Sequence, residues 1–168
     1  RWRFRGGWDF VDWSPIPPEE RETFCHLLAI QALREGADLS KQVGEQAEGL
    51  EKVCGRMVEA ARQAWYSEDR TTFGASHHVN AMAIRCGLLS SPEQARVFAE
   101  TLAADPPARM TYWHRYLDLD AACLVGQAQW GLDYIRRHWG PAVNLGLSAL
   151  WEAFEPAWVG PDPHGVSI

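Results

Sequence analysis

Four short stretches of this chain set carboxylates, imidazoles and indoles side by side. The first is Trp8-Asp9-Phe10-Val11-Asp12-Trp13. An indole stacks on the CH faces of a sugar while a neighbouring carboxylate accepts from its hydroxyls, so Trp8, Asp12 and Trp13 suit a sugar pocket. The same residues would also anchor a loop, with Asp12 capping a turn. The second stretch is His77-His78-Val79-Asn80, in which His78 and Asn80 could grip a polar ligand. Its plain structural reading is a first helical turn capped by Ser76, the imidazoles satisfied by backbone groups. The third, Tyr112-Trp113-His114-Arg115-Tyr116, is too bulky for a helix to bury on one face, so some of these rings must meet a cavity, a partner or solvent. The fourth is Trp151-Glu152, shortly after Ser148. A carboxylate held against indole in a cleft is suited to general acid or base work, whereas an acid near a helix start is also stabilised by the dipole alone.

Composition narrows the classes. The 168 residues suit one domain. Sixteen Lys and Arg stand against twenty-two Asp and Glu, a net charge of −6, with no basic cluster. Nucleic acid and anionic membrane are poor partners for such a surface. No apolar run reaches the ~18–20 residues of a membrane span. The chain opens at Arg1 instead of Met, as a piece of something larger would. Nine tryptophans are the unusual count. Cys25, Cys54, Cys86 and Cys123 fall one per predicted helix, without the clustering that zinc requires. They read as reduced core residues, which fits a reducing, cytoplasmic compartment, and no metal or cofactor is expected. Walker, dinucleotide, nucleophile-elbow and HExxH motifs are absent from the sequence.

The elements that must position these groups are helical. Residues 1–17 read as an aromatic loop, with a short strand at Trp8–Trp13. Pro18 with Glu19 and Glu20 starts a helix predicted over 18–36 and closing at Gly36. Leu50, Val53, Cys54, Met57, Val58, Ala61 and Trp65 recur at three and four, marking one apolar face of a helix over 42–66. A turn or short strand follows at 69–75, then a helix over 76–88. Ser91-Pro92-Glu93-Gln94 predicts the next start, with Ser91 at the cap. Helices over 111–127, 129–139 and 146–154 complete the pattern, the last placing Trp151-Glu152 in its opening turns. No fixed-period repeat is present, so paired antiparallel helices in a bundle or an α/α toroid are expected.

In this order, four segments resemble the α-L-rhamnosidase-type six-hairpin glycosidases. They are Trp8-Asp9-Phe10-Val11-Asp12-Trp13-Ser14-Pro15, Ser76-His77-His78-Val79-Asn80-Ala81-Met82-Ala83, Ala108-Arg109-Met110-Thr111 and Ala149-Leu150-Trp151-Glu152-Ala153-Phe154-Glu155-Pro156. The resemblance implies an all-α fold of antiparallel helical hairpins, about half of an (α/α)6 barrel and its C-terminal part. Residues 1–168 would form one partial domain: 1–17 loop, 18–156 hairpins, 157–168 exposed tail. It implies inverting hydrolysis of terminal α-L-rhamnosyl linkages by two carboxyl groups about 6.5–9.5 Å apart. On this chain Glu152 matches the general base, Asp12 and Trp13 the lining of the sugar pocket, and His78 with Asn80 a polar stretch on the same rim. His114 is a looser match, and Trp8 and Trp151 would stack on the sugar beside Trp13 and Trp113.

One departure bears on activity. The family's general acid lies in an Asp-Glu-Arg-like stretch followed by Gly-Trp, and no such stretch occurs in these 168 residues. Two classes therefore remain open: a glycoside hydrolase piece, or a non-catalytic carbohydrate-binding or interaction module on the same scaffold. A lyase using Tyr112, His114 and Arg115 is a third. A rhamnosyl carbohydrate is the expected partner, and half a barrel would expose apolar helix faces through which the chain self-associates.

Overall fold

A computed structural model describes residues 11, 13–69, 72–104, 110–149 and 151–152. Trp8, Asp12, Arg109 and the predicted tail lie outside them. The described residues form seven α-helices: α1 (Pro18–Gln42), α2 (Glu48–Trp65), α3 (His77–Arg85), α4 (Ser91–Val97), α5 (Tyr112–Leu124), α6 (Ala128–His138) and α7 (Gly140–Asn144). A π-helical turn, Phe98–Leu102, continues α4. Ser67 and Thr72 pair in an isolated antiparallel bridge where the turn or short strand was expected. The fold is all-α, as the helical patterning predicts.

The first hairpin departs from its predicted bounds. Gly36 does not stop α1. It stays helical and faces α2, where an added Cβ would touch Leu50 Cδ1 at 3.6 Å. The chain turns instead around Gly44, whose φ of 80° belongs to the left-handed region that side chains disfavour. α2 then starts at Glu48 and presents the predicted stripe, with Cys54 and Ala61 buried and Met57, Val58 and Trp65 packed at the edge of the core.

α3 is the centre of the molecule. Eight of its nine residues, His77 to Ile84, are buried, because α1, α5 and the π-helical turn pack around it. Phe24, Leu27 and Ile30 approach from α1, Leu117, Ala121 and Ala122 from α5, and Phe98 and Leu102 from the π-helical turn. Each fully buried Phe or Leu of this kind stabilises the fold by about 1.5–3 kcal/mol.

Two more predicted boundaries shift. The cap of α4 is Ser90, one residue before the predicted Ser91. Glu93, three residues on, accepts from the Ser90 N–H at 2.6 Å and its hydroxyl at 2.7 Å, which closes a capping box on Ser90. Among the described residues of 146–154, the predicted helix does not form. Pro141 opens α7 in place of ending a hairpin, and Gly146, at φ 77°, stops it. Residues 147–149 and 151–152 are non-helical, so Trp151 and Glu152 belong to an irregular segment.

Candidate functional site

The start of α5 is where distant parts of the chain meet. A helix leaves its first amides without intrahelical partners, and here two other segments supply them. Ser14 Oγ accepts from the Thr111 N–H at 2.8 Å and donates to Thr111 Oγ1 at 3.0 Å. Thr111 is the N-cap, its Oγ1 accepting from the His114 N–H at 3.4 Å. The Tyr112 N–H donates to the Glu152 carbonyl at 3.0 Å. Segments 13–14, 110–114 and 151–152 are thereby fastened to one helix end.

α3 reaches the same place from below. The His78 ring stands edge-on to His114 with centroids 4.1 Å apart, and Phe24 of α1 lies against both, at 6.4 and 5.5 Å. Trp113 packs on His114 at 4.6 Å and on Phe24 at 6.1 Å. Both imidazoles are fully buried, whereas Trp113 is 44% and Trp13 70% exposed. The bulky run 112–116 thus divides: Tyr112, His114 and Arg115 go inward, while Trp113 and Tyr116 face solvent. Trp151 is half-buried against Tyr112 and Ala142, in a small cluster with Trp139 and Leu147, and Glu152 is exposed.

Of the residues predicted from sequence, His78, His114, Trp151 and Glu152 gather at the start of α5, and Trp13 precedes the Ser14 that binds there. Asn80 has a different place. It is buried, its amide nitrogen donates to the Gly74 and Ser76 carbonyls, each at 3.0 Å, and its oxygen accepts from the Thr72 hydroxyl. Its hydrogen bonds are spent on the 72–76 loop. Glu20 of α1 holds the same loop: its carboxylate accepts from the Ala75 N–H at 2.6 Å, the Ser76 N–H at 3.0 Å and the Ser76 hydroxyl. Ser76 in turn caps α3 through the Val79 N–H, as its position predicts. Trp8 and Asp12 lie outside the described residues.

The sequence reading missed a buried polar network one turn further along α5. Asp118 is fully buried, and its Oδ2 receives the Tyr134 hydroxyl at 3.0 Å and meets His77 Nδ1 at 3.3 Å. Burial pushes the Asp118 carboxyl up, against the His77 and Tyr134 hydrogen bonds and the charge of Arg115. Burial likewise raises the Tyr134 hydroxyl. Arg115 Nε donates to the Met110 carbonyl at 3.1 Å, and its Nη1 meets His138 Nδ1 at 2.9 Å. Among the described residues no cluster of His, Cys, Asp and Glu could hold a metal ion. A cleft of about 510 Å³ between α1 and α2 is lined by Leu33, Arg34, Cys54 and Glu51 among others, and by none of the residues above.

No family model matches the sequence, and no curated protein matches it. Among solved structures the chain is similar to a rhamnosidase from Klebsiella oxytoca with rhamnose bound, at 19% identity over 88% of this chain and with a TM-score of 0.71. The chain spans 30% of that protein's length. The likeness is one of fold: the helices adopt a rhamnosidase-like, all-α arrangement.

Proposed function

We propose that this chain is part of a rhamnosidase-like glycoside hydrolase, the C-terminal part of an (α/α)6 barrel, acting on a terminal α-L-rhamnosyl linkage with inversion. Glu152 serves as the general base, taking a proton from the water that attacks the anomeric carbon. The general acid comes from outside these 168 residues. Trp13, Trp113 and Trp151 offer aromatic faces to the sugar, and the resemblance assigns Trp8 and Asp12 to sugar binding as well. His78 and His114 support that rim from beneath.

The observation that carries this reading is the Tyr112 N–H to Glu152 carbonyl bond. It fastens the backbone of Glu152, an exposed residue, to the helix end that also binds the Trp13-Ser14 segment and presents Trp113. The exposed Leu132, Ile135, Val143 and Leu145 of α6 and the α7 region support self-association, or seating of the remaining barrel, through an apolar face. A second reading, a non-catalytic carbohydrate-binding module, is favoured by the exposure of Trp13 and Trp113, since stacking needs no paired acid.

Ligand-detected NMR against L-rhamnose, L-fucose, D-glucose and D-galacturonate tests both, with Trp13→Ala as control. Selective L-rhamnose binding, lost in the control, is the expected result. In a full-length enzyme, Glu152→Gln should then abolish most turnover while sugar binding persists. Turnover that persists in Glu152→Gln refutes the base assignment, sugar binding by a full-length protein without any turnover favours the module, and no binding by a folded chain refutes the module and leaves the sugar pocket to the rest of the barrel.

A further inference from the structure

We infer that the cleft between α1 and α2 is a binding site for a monocarboxylate with an apolar tail, the head group held by Arg34 and the tail laid between the two helices. Leu33, Arg34 and Ala37 of α1 face Cys54, Gly55 and Val58 of α2 across it, at the three- and four-residue steps that put side chains on one helix face. The space measures about 510 Å³. That falls within the roughly 300–1,000 Å³ of small-molecule sites. Leu33 and Val58 are only half-buried, so hydrocarbon laid against them would take their remaining apolar surface out of water. Gly55 keeps the cleft wide, since a Cβ added there would meet no atom within 4 Å.

Arg34 sets the chemistry of the head group. It is half-buried, and its Nη1 lies 3.1 Å from where a Cβ on Gly87 would stand. The bare left-handed turn after α3, with Gly87 at φ 58°, is therefore what admits the guanidinium. The carbonyl end of α3 favours a cation there. Among the described residues Arg34 has no hydrogen bond or ion pair. The two acids at the rim of the cleft are already engaged, because Lys41 Nζ lies 2.6 Å from Glu51 Oε1 and 3.8 Å from Asp38 Oδ1. A guanidinium drawn partly out of water offers paired N–H groups that a carboxylate fills bidentately. One fork balances one charge. A dianion would bring its second charge towards Asp38 and Glu51, so the head group is a carboxylate and not a phosphate. This site shares no residue with the function proposed above and stands or falls without it.

NMR titration of the 168-residue chain with octanoate is the test. Octan-1-ol, which keeps the tail and drops the charge, is one comparison, and octyl phosphate, dianionic at about pH 8, is the other. Saturable octanoate shifts are expected at Leu33, Ala37 and Val58. Octanol should bind about tenfold more weakly, the scale of a charge-assisted hydrogen bond open to solvent, and octyl phosphate no tighter than octanoate. Arg34→Gln should bring octanoate down to the level of octanol. Gly55→Leu fills the cleft from a helical position that favours a side chain, so it should stay folded and lose octanoate altogether. The inference is overturned by an absence of saturable shifts at those residues in the folded chain, or by octanoate binding that survives Gly55→Leu. Octanol binding as tightly as octanoate, or octanoate affinity unchanged in Arg34→Gln, removes Arg34 from the site and overturns it equally. Tighter binding of octyl phosphate overturns the carboxylate assignment.

Discussion

The contact between α1 and the loop before α3 invites a double-mutant cycle. Glu20 accepts from two backbone N–H groups and one hydroxyl in residues 75–76. A hydrogen bond to a charged group is worth about 1.5–3 kcal/mol, but Ala75 is exposed and water replaces that partner. Ser76 is half-buried, so Glu20→Ala should cost about 2 kcal/mol. Gly74 lies under the same carboxylate: a Cβ there would stand 2.9 Å from Glu20 Cδ and from Oε2. Three hydrogen bonds pin that carboxylate, so Gly74→Ala should cost about 1–2 kcal/mol of overpacking, less the 0.4–1 kcal/mol a more restricted unfolded chain returns. Once Glu20 is Ala the crowding is gone and only the gain remains. The double variant should therefore be more stable than the two single effects predict, by about 1–2 kcal/mol. Urea unfolding followed by tryptophan fluorescence and by far-UV circular dichroism measures all four corners. Additivity within roughly 0.5 kcal/mol would refute the claim that Gly74 is small in order to admit the Glu20 carboxylate.

Two further outcomes follow from burial. Cys86 donates to the Leu27 carbonyl at 3.1 Å and burial pushes its thiol up to about 12, whereas Cys123 is exposed, which corrects the expectation of four core cysteines. At about pH 8 the thiolate fraction of Cys86 is roughly a thousandfold below that of an ordinary thiol, so mass-mapped alkylation of the native chain should mark Cys123 well before Cys86; equal rates would contradict the buried placement. Asp118 has a raised pKa in the folded chain, so its contribution to stability is full below the ordinary Asp value and lost as pH rises through the folded one. Asp118→Asn keeps an acceptor for Tyr134 and cannot ionise. Its stability relative to the parent should improve between about pH 4 and pH 8, and a difference that stays flat in urea melts over that range would count against a desolvated carboxyl.

How far the sequence could be read depended on whether the signal was local. The apolar stripe of α2 and the Ser76 cap of α3 are written in neighbouring residues, and both appear where predicted. Boundaries set by competition between equal signals were displaced. Gly36 and Gly44 are both plausible stops, and only packing against Leu50 decides that the first stays helical. Ser90 and Ser91 are both caps, and the reach of Glu93 chooses Ser90. The irregular path of Trp151-Glu152 was not legible at all, because its backbone is recruited by Tyr112, a residue far along the chain. Asn80 shows the same limit: its type suits a ligand, and only the folded chain shows that its amide also binds the neighbouring loop.

The pair of hydrogen bonds between Ser14 and Thr111 at the start of α5 also has a consequence in time. It joins residues 97 positions apart in the chain, and a second bond draws in Glu152 from the other direction. Closing long loops carries an entropy cost that only an already collapsed chain repays, so contacts of this span form after the local hairpins. The α1–α2 hairpin and the docking of α3 can assemble first, with no help from residues 14 or 152. The rim that gathers Trp13, Trp113 and Glu152 is then the last part of the molecule to become whole on folding, and the first to come apart when the chain opens.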